Sequence, residues 1–232
     1  MFYLKNKILF FFQLLVIAIN YLFNKKFSEK EVIQDLLPNE AIVFDVGSNL
    51  GSYIKLVSLC LKNKKVSFHS FEPSIKLCKQ QERLSVPKNH SLIINNLAIT
   101  DKVGTAKFYE RSISSHSSLV DSPKMSAISK THKTYDVETI TIDSYCKENK
   151  INKIDLLKVD AEGFDFQVLK SSETLLQEKK IKLLKIEIWA EDDSVALISS
   201  YLNKFGYTLA GMTNLSYLNN RLKFYDAYYF VE

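Results

Sequence analysis

The residues best equipped for chemistry lie in one short run, Ile154-Asp155-Leu156-Leu157-Lys158-Val159-Asp160-Ala161-Glu162-Gly163. In an extended strand Lys158 and Asp160 project from the same face, and Glu162 joins them if the extended backbone continues. A lysine inside an apolar strand carries a desolvation cost unless a carboxylate compensates it. Asp160, Glu162 or Glu187 is therefore expected beside Lys158. A carboxylate kept ionised by that lysine could take a proton from an attacking hydroxyl. The plain alternative is a purely structural salt bridge.

A second constellation lies upstream. In Asp45-Val46-Gly47-Ser48-Asn49-Leu50-Gly51 the chain leaves an apolar strand and turns at once toward a helix. Gly47 permits a positive φ and a close backbone approach, and Gly51 lets the helix pack on the strand. Such a turn at a strand's carboxyl end aims backbone N–H groups at a nucleotide-like ligand. Glu72 closes the next apolar run, 27 positions after Asp45. A carboxylate there can accept hydrogen bonds from both hydroxyls of a ribose. The spacing is G-x-x-x-G, not the dinucleotide fingerprint G-x-G-x-x-G, which weakens the rival reading of a nicotinamide oxidoreductase.

The elements that must position these groups alternate. Ala41–Val46, Val66–Phe71, Ser91–Ile99, Ile154–Val159 and Ile181–Trp189 read as strands. Ser52–Leu61, Ser74–Leu84 with Ser74 as N-cap, a stretch around Asp143–Asn149, Phe164–Gln177 and Ser194–Phe205 read as helices. Thr105–Glu110 and Val137–Ile142 are shorter extended segments, and Tyr207–Met212 and Ala227–Val231 form an antiparallel pair joined through a turn at Asn219-Asn220. The pattern predicts the α/β class: a parallel sheet covered by helices, with the C-terminal antiparallel pair added at its edge, in a domain spanning residues 31–232. Residues 111–136 interrupt the rhythm with a polar, serine-rich insertion that reads as a lid or binding loop. His116 and His132 lie in it, and His69 and His90 read as structural.

Composition bounds the rest. The chain has 232 residues, 46% of them hydrophobic and only 6 Gly and 4 Pro, which excludes a disordered protein and suits one large domain. Lys5, Lys7, Lys25, Lys26 and Lys30 against Glu29 alone concentrate the net positive charge in residues 1–30. The nearly neutral body lacks the basic stripe of a nucleic-acid binder. Cys60, Cys78 and Cys146 form no Cys-x-x-Cys pair, so neither a zinc site nor a disulfide framework is indicated and a reducing, cytoplasmic setting is expected. Within the leader, residues 1–30, no charged residue interrupts Ile8–Asn24. As a helix, that run predicts membrane association through residues 8–24, by a short span or an interfacial helix, against the alternative of a packing helix.

Taken together, FDVGSNLG, FEP, NLAITD followed by Gly104, SSHSSL, and TIDSYC with IDLLKVDAEGFDFQVL resemble the FkbM family of S-adenosylmethionine-dependent methyltransferases over about residues 41–190. The resemblance implies a Rossmann-like class I methyltransferase fold: a seven-stranded, mostly parallel sheet with helices on both faces and a reversed last strand. It implies S-adenosyl-L-methionine as cofactor and O-methylation of a hydroxyl on a small-molecule or glycan acceptor. It places Asp45, Gly47, Asn49 and Gly51 at the methionine part of the cofactor, Glu72 at its ribose, and Asn96 to Ala98 near its adenine. Asp160 and Glu162, with Lys158, would face the transferred methyl. Asp160, Glu162 or His116 could be the base, and no spacing demands a metal. The second rival is a membrane-associated protein that holds the cofactor without chemistry.

Overall fold

A computed structural model of the chain describes residues 27–121, 129–190 and 194–231. Ten strands and seven α-helices follow in chain order among these residues: α1 Glu29–Leu36, β1 Ala41–Val46, α2 Ser52–Cys60, β2 Val66–Phe71, α3 Ile75–Gln81, β3 His90–Asn95, β4 Ala98–Ile99, β5 Gly104–Arg111, β6 Thr131–Ile140, α4 Ile142–Glu148, β7 Ile154–Val159, α5 Asp165–Lys170, α6 Glu173–Gln177, β8 Ile181–Trp189, α7 Ser194–Asn203, β9 Thr208–Leu218 and β10 Arg221–Phe230. Seven strands form one sheet in the order β3-β2-β1-β7-β8-β10-β9, in which β10 runs antiparallel to both its neighbours. The expected mostly parallel sheet with a reversed last strand is what the chain builds.

The near-continuous apolar runs of β1 and β7 follow from burial on both faces. Register sorts them into layers. Phe44, Leu157, Leu184 and Tyr229 stand in one row across four strands and face the core packed by α4 to α7. Val43, Leu156 and Leu183 form the adjacent row and face the core closed by α1 and α2. Asp45, Lys158, Lys185 and Tyr228 occupy the next row on that second face. Two lysines thus stand side by side on neighbouring strands, a repulsive arrangement unless each is compensated.

The structure redraws some boundaries. The expected strand Ser91–Ile99 is two strands, because the Asn96 amide donates to the carbonyls of Glu72 (3.0 Å) and Pro73 (2.8 Å) and takes the chain out of the sheet. β4, β5 and β6 make a separate three-stranded sheet in the order β4-β6-β5. The end of the polar insertion is ordered within it, since residues 131–136 belong to β6 and pair with β5. Ser74 occupies the N-cap of α3, but its side chain makes no cap bond. Phe164–Gln177 divides into α5 and α6 around Ser171 and Ser172, whose hydroxyls bond back to Val168 and Leu169 carbonyls. The last two strands reach Leu218 and start at Arg221, longer than expected, around the turn at Asn219-Asn220.

Residues 27–30, grouped with the leader in the sequence reading, pack on the body: the Phe27 ring lies 4.9 Å from that of Tyr228, and Glu29 pairs with Lys185. The Ile8–Asn24 run lies outside the described residues. Among the described residues, no helix is long and apolar enough to cross a membrane.

Candidate active site

The site lies at the carboxyl ends of β1, β2, β7 and β8, where the strand order reverses direction between β1 and β7. On the β1–β2 side, Gly47 has φ +69°, and a Cβ on it would overlap the Asp160 carbonyl, so only glycine fits between the two strand ends. The N–H groups of Gly47 and Ser48 donate to the Phe71 carbonyl at 3.1 and 3.2 Å. Beneath the turn, the buried Gln81 amide donates to Ser48 Oγ (2.8 Å) and the Asn49 carbonyl (2.7 Å). Glu72, only 5% exposed, accepts from the N–H of Asn49 on one oxygen and of Ser74 on the other, both at 2.9 Å. Burial pushes Glu72 up to about 7, with those two backbone donors pulling the other way.

At the end of β7, Lys158 is 7% exposed, and its Nζ lies 3.1 Å from both Asp45 and Asp160 and donates to the Gly47 carbonyl at 3.0 Å. Burial opposes the lysine's charge, but Asp160 and Asp45 outweigh it and raise the ammonium above its ordinary range. Burial likewise raises Asp45, which Lys158 only partly offsets.

Beyond Asp160 the backbone does not stay extended: Glu162 adopts φ +50° and Gly163 φ +92°. Asp165 clasps this reversal by accepting from Ala161 N (2.7 Å) and Gly163 N (3.1 Å), while Ser118 Oγ donates to the Glu162 carbonyl (2.8 Å). The turn still brings Glu162 to Asp160, and with Glu187 the three carboxylates have oxygens within 4.8 Å of one another. That spacing suits a shared proton or a hard cation. Burial, then the Asp160 charge, push Glu162 to about 9 and Glu187 to about 8.

One strand further, Lys185 repeats the arrangement. Its Nζ lies 3.0 Å from Glu29 and 2.9 Å from Asp226, and 4.5 Å from the centre of the Tyr53 ring. Asn214 donates to Asp226 at 2.6 Å. The sequence reading missed this group. Its signal was the parallel between Leu156-Leu157-Lys158-Val159 and Leu183-Leu184-Lys185-Ile186, which places two lysines in equivalent strand positions.

These groups surround a cavity of about 860 Å³. Gly47, Asn49, Glu72, Ala98, Lys158, Asp160 and Glu162 line it, as expected for site residues, together with Glu187 and Lys185. Four expected residues do not. Asp45 is covered by Lys158, whose charge it compensates. Gly51 sits against Gln81 at the end of α3 and Leu84 beyond it, so it serves helix packing there and not packing on the strand. Asn96 braces the strand ends from outside. His116 lies in a single 3₁₀ turn, and its neighbours Ser114, Ser115, Ser117 and Ser118 reach the wall while it does not. His69 and His90 are structural, bonded to Tyr145 OH (2.8 Å) and Ser58 Oγ (2.7 Å), and burial lowers His69 to about 4.

The residues present fit a nucleoside cofactor. Glu72 keeps a second lone pair on each oxygen beyond the two backbone bonds, and Phe71, Pro73, Leu97, Ala98 and Phe108 supply apolar wall beside it.

The model of the methyltransferase FkbM domain matches residues 45–209. The hexuronic acid methyltransferase AglP of Haloferax volcanii is 25% identical over 180 residues, covering 74% of this chain and 68% of that protein. The crystal structure of methyltransferase FkbM from Methylobacillus flagellatus superposes with a TM-score of 0.51 at 14% identity over 87% of this chain, which spans half the length of that one.

Proposed function

Because the chain belongs to the methyltransferase FkbM family, we propose that it transfers the methyl group of S-adenosyl-L-methionine to a hydroxyl oxygen of a sugar or glycan. The observation that carries the cofactor assignment is Glu72, a buried carboxylate fixed by two backbone donors directly opposite the glycine turn. Such a group accepts from both ribose hydroxyls, while the Gly47–Asn49 backbone approaches the amino-acid end.

Bound S-adenosyl-L-methionine would supply a methyl group already activated by its sulfonium. The chain then has to align the acceptor oxygen behind that methyl, exclude water and receive one proton. Asp160 is the base in this reading: one of its oxygens is paired with Lys158, and the carboxylate opens to the cavity. Glu162 is held protonated at neutral pH, so it hydrogen-bonds the acceptor instead of taking its proton. Lys158 positions Asp160. The serine-rich turn at Ser114–Ser118 covers the cavity, with Ser114 within 3.4 Å of Asn49.

Calorimetric titration of the full chain with S-adenosylhomocysteine tests the cofactor, and transfer of isotope-labelled methyl to glycan acceptors tests the chemistry. Saturable binding is expected. Titration of a nicotinamide dinucleotide with equal or greater affinity would replace this reading with that of an oxidoreductase.

A further inference from the structure

The wall on the β7–β8–β10 side is crowded with carboxyl groups, and its cations are paired. Asp160, Glu162, Glu187 and Asp226 all face the cavity there, beside the Phe224 ring. The described wall contains two cations, and each has its donors engaged. An ammonium offers three N–H bonds. Lys158 directs them at Asp45, Asp160 and the Gly47 carbonyl. Lys185 has Glu29, Asp226 and the face of Tyr53. The Asn214 amide is likewise directed at Asp226.

A ligand entering this half therefore meets carboxyl groups that accept hydrogen bonds and an aromatic ring that can lie against a pyranose face. A carboxylate or phosphate on the ligand would add negative charge beside Asp160 and Asp226, where burial and the Asp160 charge already raise Glu162 and Glu187, and would meet no lysine with an unused donor. We infer that the acceptor is a neutral or basic sugar, and that the clamping of Lys185 by Glu29 and Asp226 is what turns acidic sugars away. The inference rests on the sugar methylation proposed above and narrows it. It separates this chain from the relative whose name specifies a hexuronic acid. Like charges brought together in a desolvated site discriminate between ligands even where contacts are otherwise equal.

Two features make the clamp a selectivity element and not only a fold contact. Lys185 lines the cavity, as do Glu29 and Asp226, so its neutralisation is felt by a ligand. Glu29 comes from α1, far from β8 in sequence, where it also opens the helix behind the Ser28 N-cap and lies beside the Tyr53 and Tyr228 hydroxyls. Removing its charge should leave Lys185 with one carboxylate, so that more of its positive charge reaches a ligand.

The test uses the full chain on an array of immobilised glycans that present neutral hexoses, amino sugars and hexuronic acids, with isotope-labelled S-adenosyl-L-methionine. Label is expected on neutral or amino sugars and at least roughly tenfold less on hexuronic acids. In Glu29→Gln the ratio of hexuronic to neutral labelling should rise several-fold, whatever happens to the overall rate. Equal or preferred labelling of hexuronic acids by the unaltered protein overturns the inference, as does label on none of the sugars. An unchanged ratio in a folded Glu29→Gln overturns the role of the clamp. Titration with S-adenosylhomocysteine, run in parallel, separates these results from failure of the cofactor assignment, which would bring down both.

Discussion

The two halves of the cavity are built by opposite means. On the β1–β2 side the carboxylate of Glu72 is satisfied by backbone N–H groups from residues close to it in space and held by a local turn, and the buried Gln81 locks that turn from below. On the β7–β8–β10 side, carboxylates from strand ends far apart in sequence crowd together. Glu162 keeps a buried oxygen without a hydrogen-bond partner, and Glu187 is pushed up to about 8. The first half is preorganised by backbone donors, which offset part of the burial that raises Glu72 to about 7. The second stores repulsion that only a ligand or protons relieve, which is where a chain gives up stability for chemistry.

If that contrast is correct, the largest effect belongs to Asp160. Asp160→Asn retains the shape and removes the charge, so methyl transfer should fall by roughly 10²–10⁴-fold, the usual contribution of a positioned base. Affinity for S-adenosylhomocysteine should change little, because Glu72 and the glycine turn lie on the other side. Single-turnover kinetics with calorimetry on the same sample reads both. A normal rate in a folded variant would move the base elsewhere, and Glu162 becomes the next candidate since His116 does not reach the cavity.

Lys158 joins the two halves, so its removal should be felt in the fold before the reaction. Lys158→Met leaves Asp45, 1% exposed, without its compensating charge. Breaking a buried pair from one side costs roughly 3–5 kcal/mol. The measurement is the urea unfolding midpoint of the full chain. A variant as stable as the parent would mean that Asp45 is protonated and the pair is not what holds the strand ends.

Glu72 probes the satisfied half. Glu72→Ala should weaken binding of S-adenosylhomocysteine by roughly 2–4 kcal/mol, the loss of two charge-assisted hydrogen bonds. Since Glu72 titrates near 7, binding through its carboxylate should also weaken as pH falls from 8 to 6, and that slope should vanish in Glu72→Gln. A slope that survives the substitution would assign the titration to another group.

How far these features could be read from the sequence depends on how local they are. The glycine turn, Glu72 and the run from Ile154 to Gly163 are contiguous patterns whose positions at strand ends follow from apolar runs, and the structure places them at one sheet edge. Gly51 and Asn96 were read as cofactor neighbours because they flank such patterns, yet their side of the chain faces α3 and the strand ends. Nothing local in the sequence says that Lys158 lies in front of Asp45 and keeps it from the ligand. The Lys185 group draws Glu29, Asp226 and Asn214 from three separate elements, and no spacing rule brings those together. The β5–β6 sheet escaped for another reason: the polar residues 131–136 have the composition of a loop, and only pairing with β5 makes them a strand.

The smallest effect is the sharpest test of the stored repulsion, because it predicts a gain. Glu187 has a folded value near 8 against 4.5 for the free side chain, raised first by burial and then by Asp160. Below pH 4.5 both folded and unfolded chains hold the proton, and the group is neutral to stability. Between 4.5 and 8 the unfolded chain releases a proton that the folded chain retains, so stability falls as pH rises through this window and levels off above it. Because Glu187 is only partly buried, solvent screening reduces the penalty to an order of 1–2 kcal/mol at pH 8. Glu187→Gln removes the titrating group while keeping the side-chain size. At pH 8 its Tm should exceed the parent's by roughly 2–8 °C, and at pH 5 the two should nearly coincide. The same substitution should lower transfer to the acceptor above pH 8, where it replaces one acceptor oxygen of the ionised carboxylate by an N–H donor. A variant with the parent's Tm at both pH values would show that the carboxylates at this edge are already compensated, and the contrast between the two halves of the cavity would have to be abandoned.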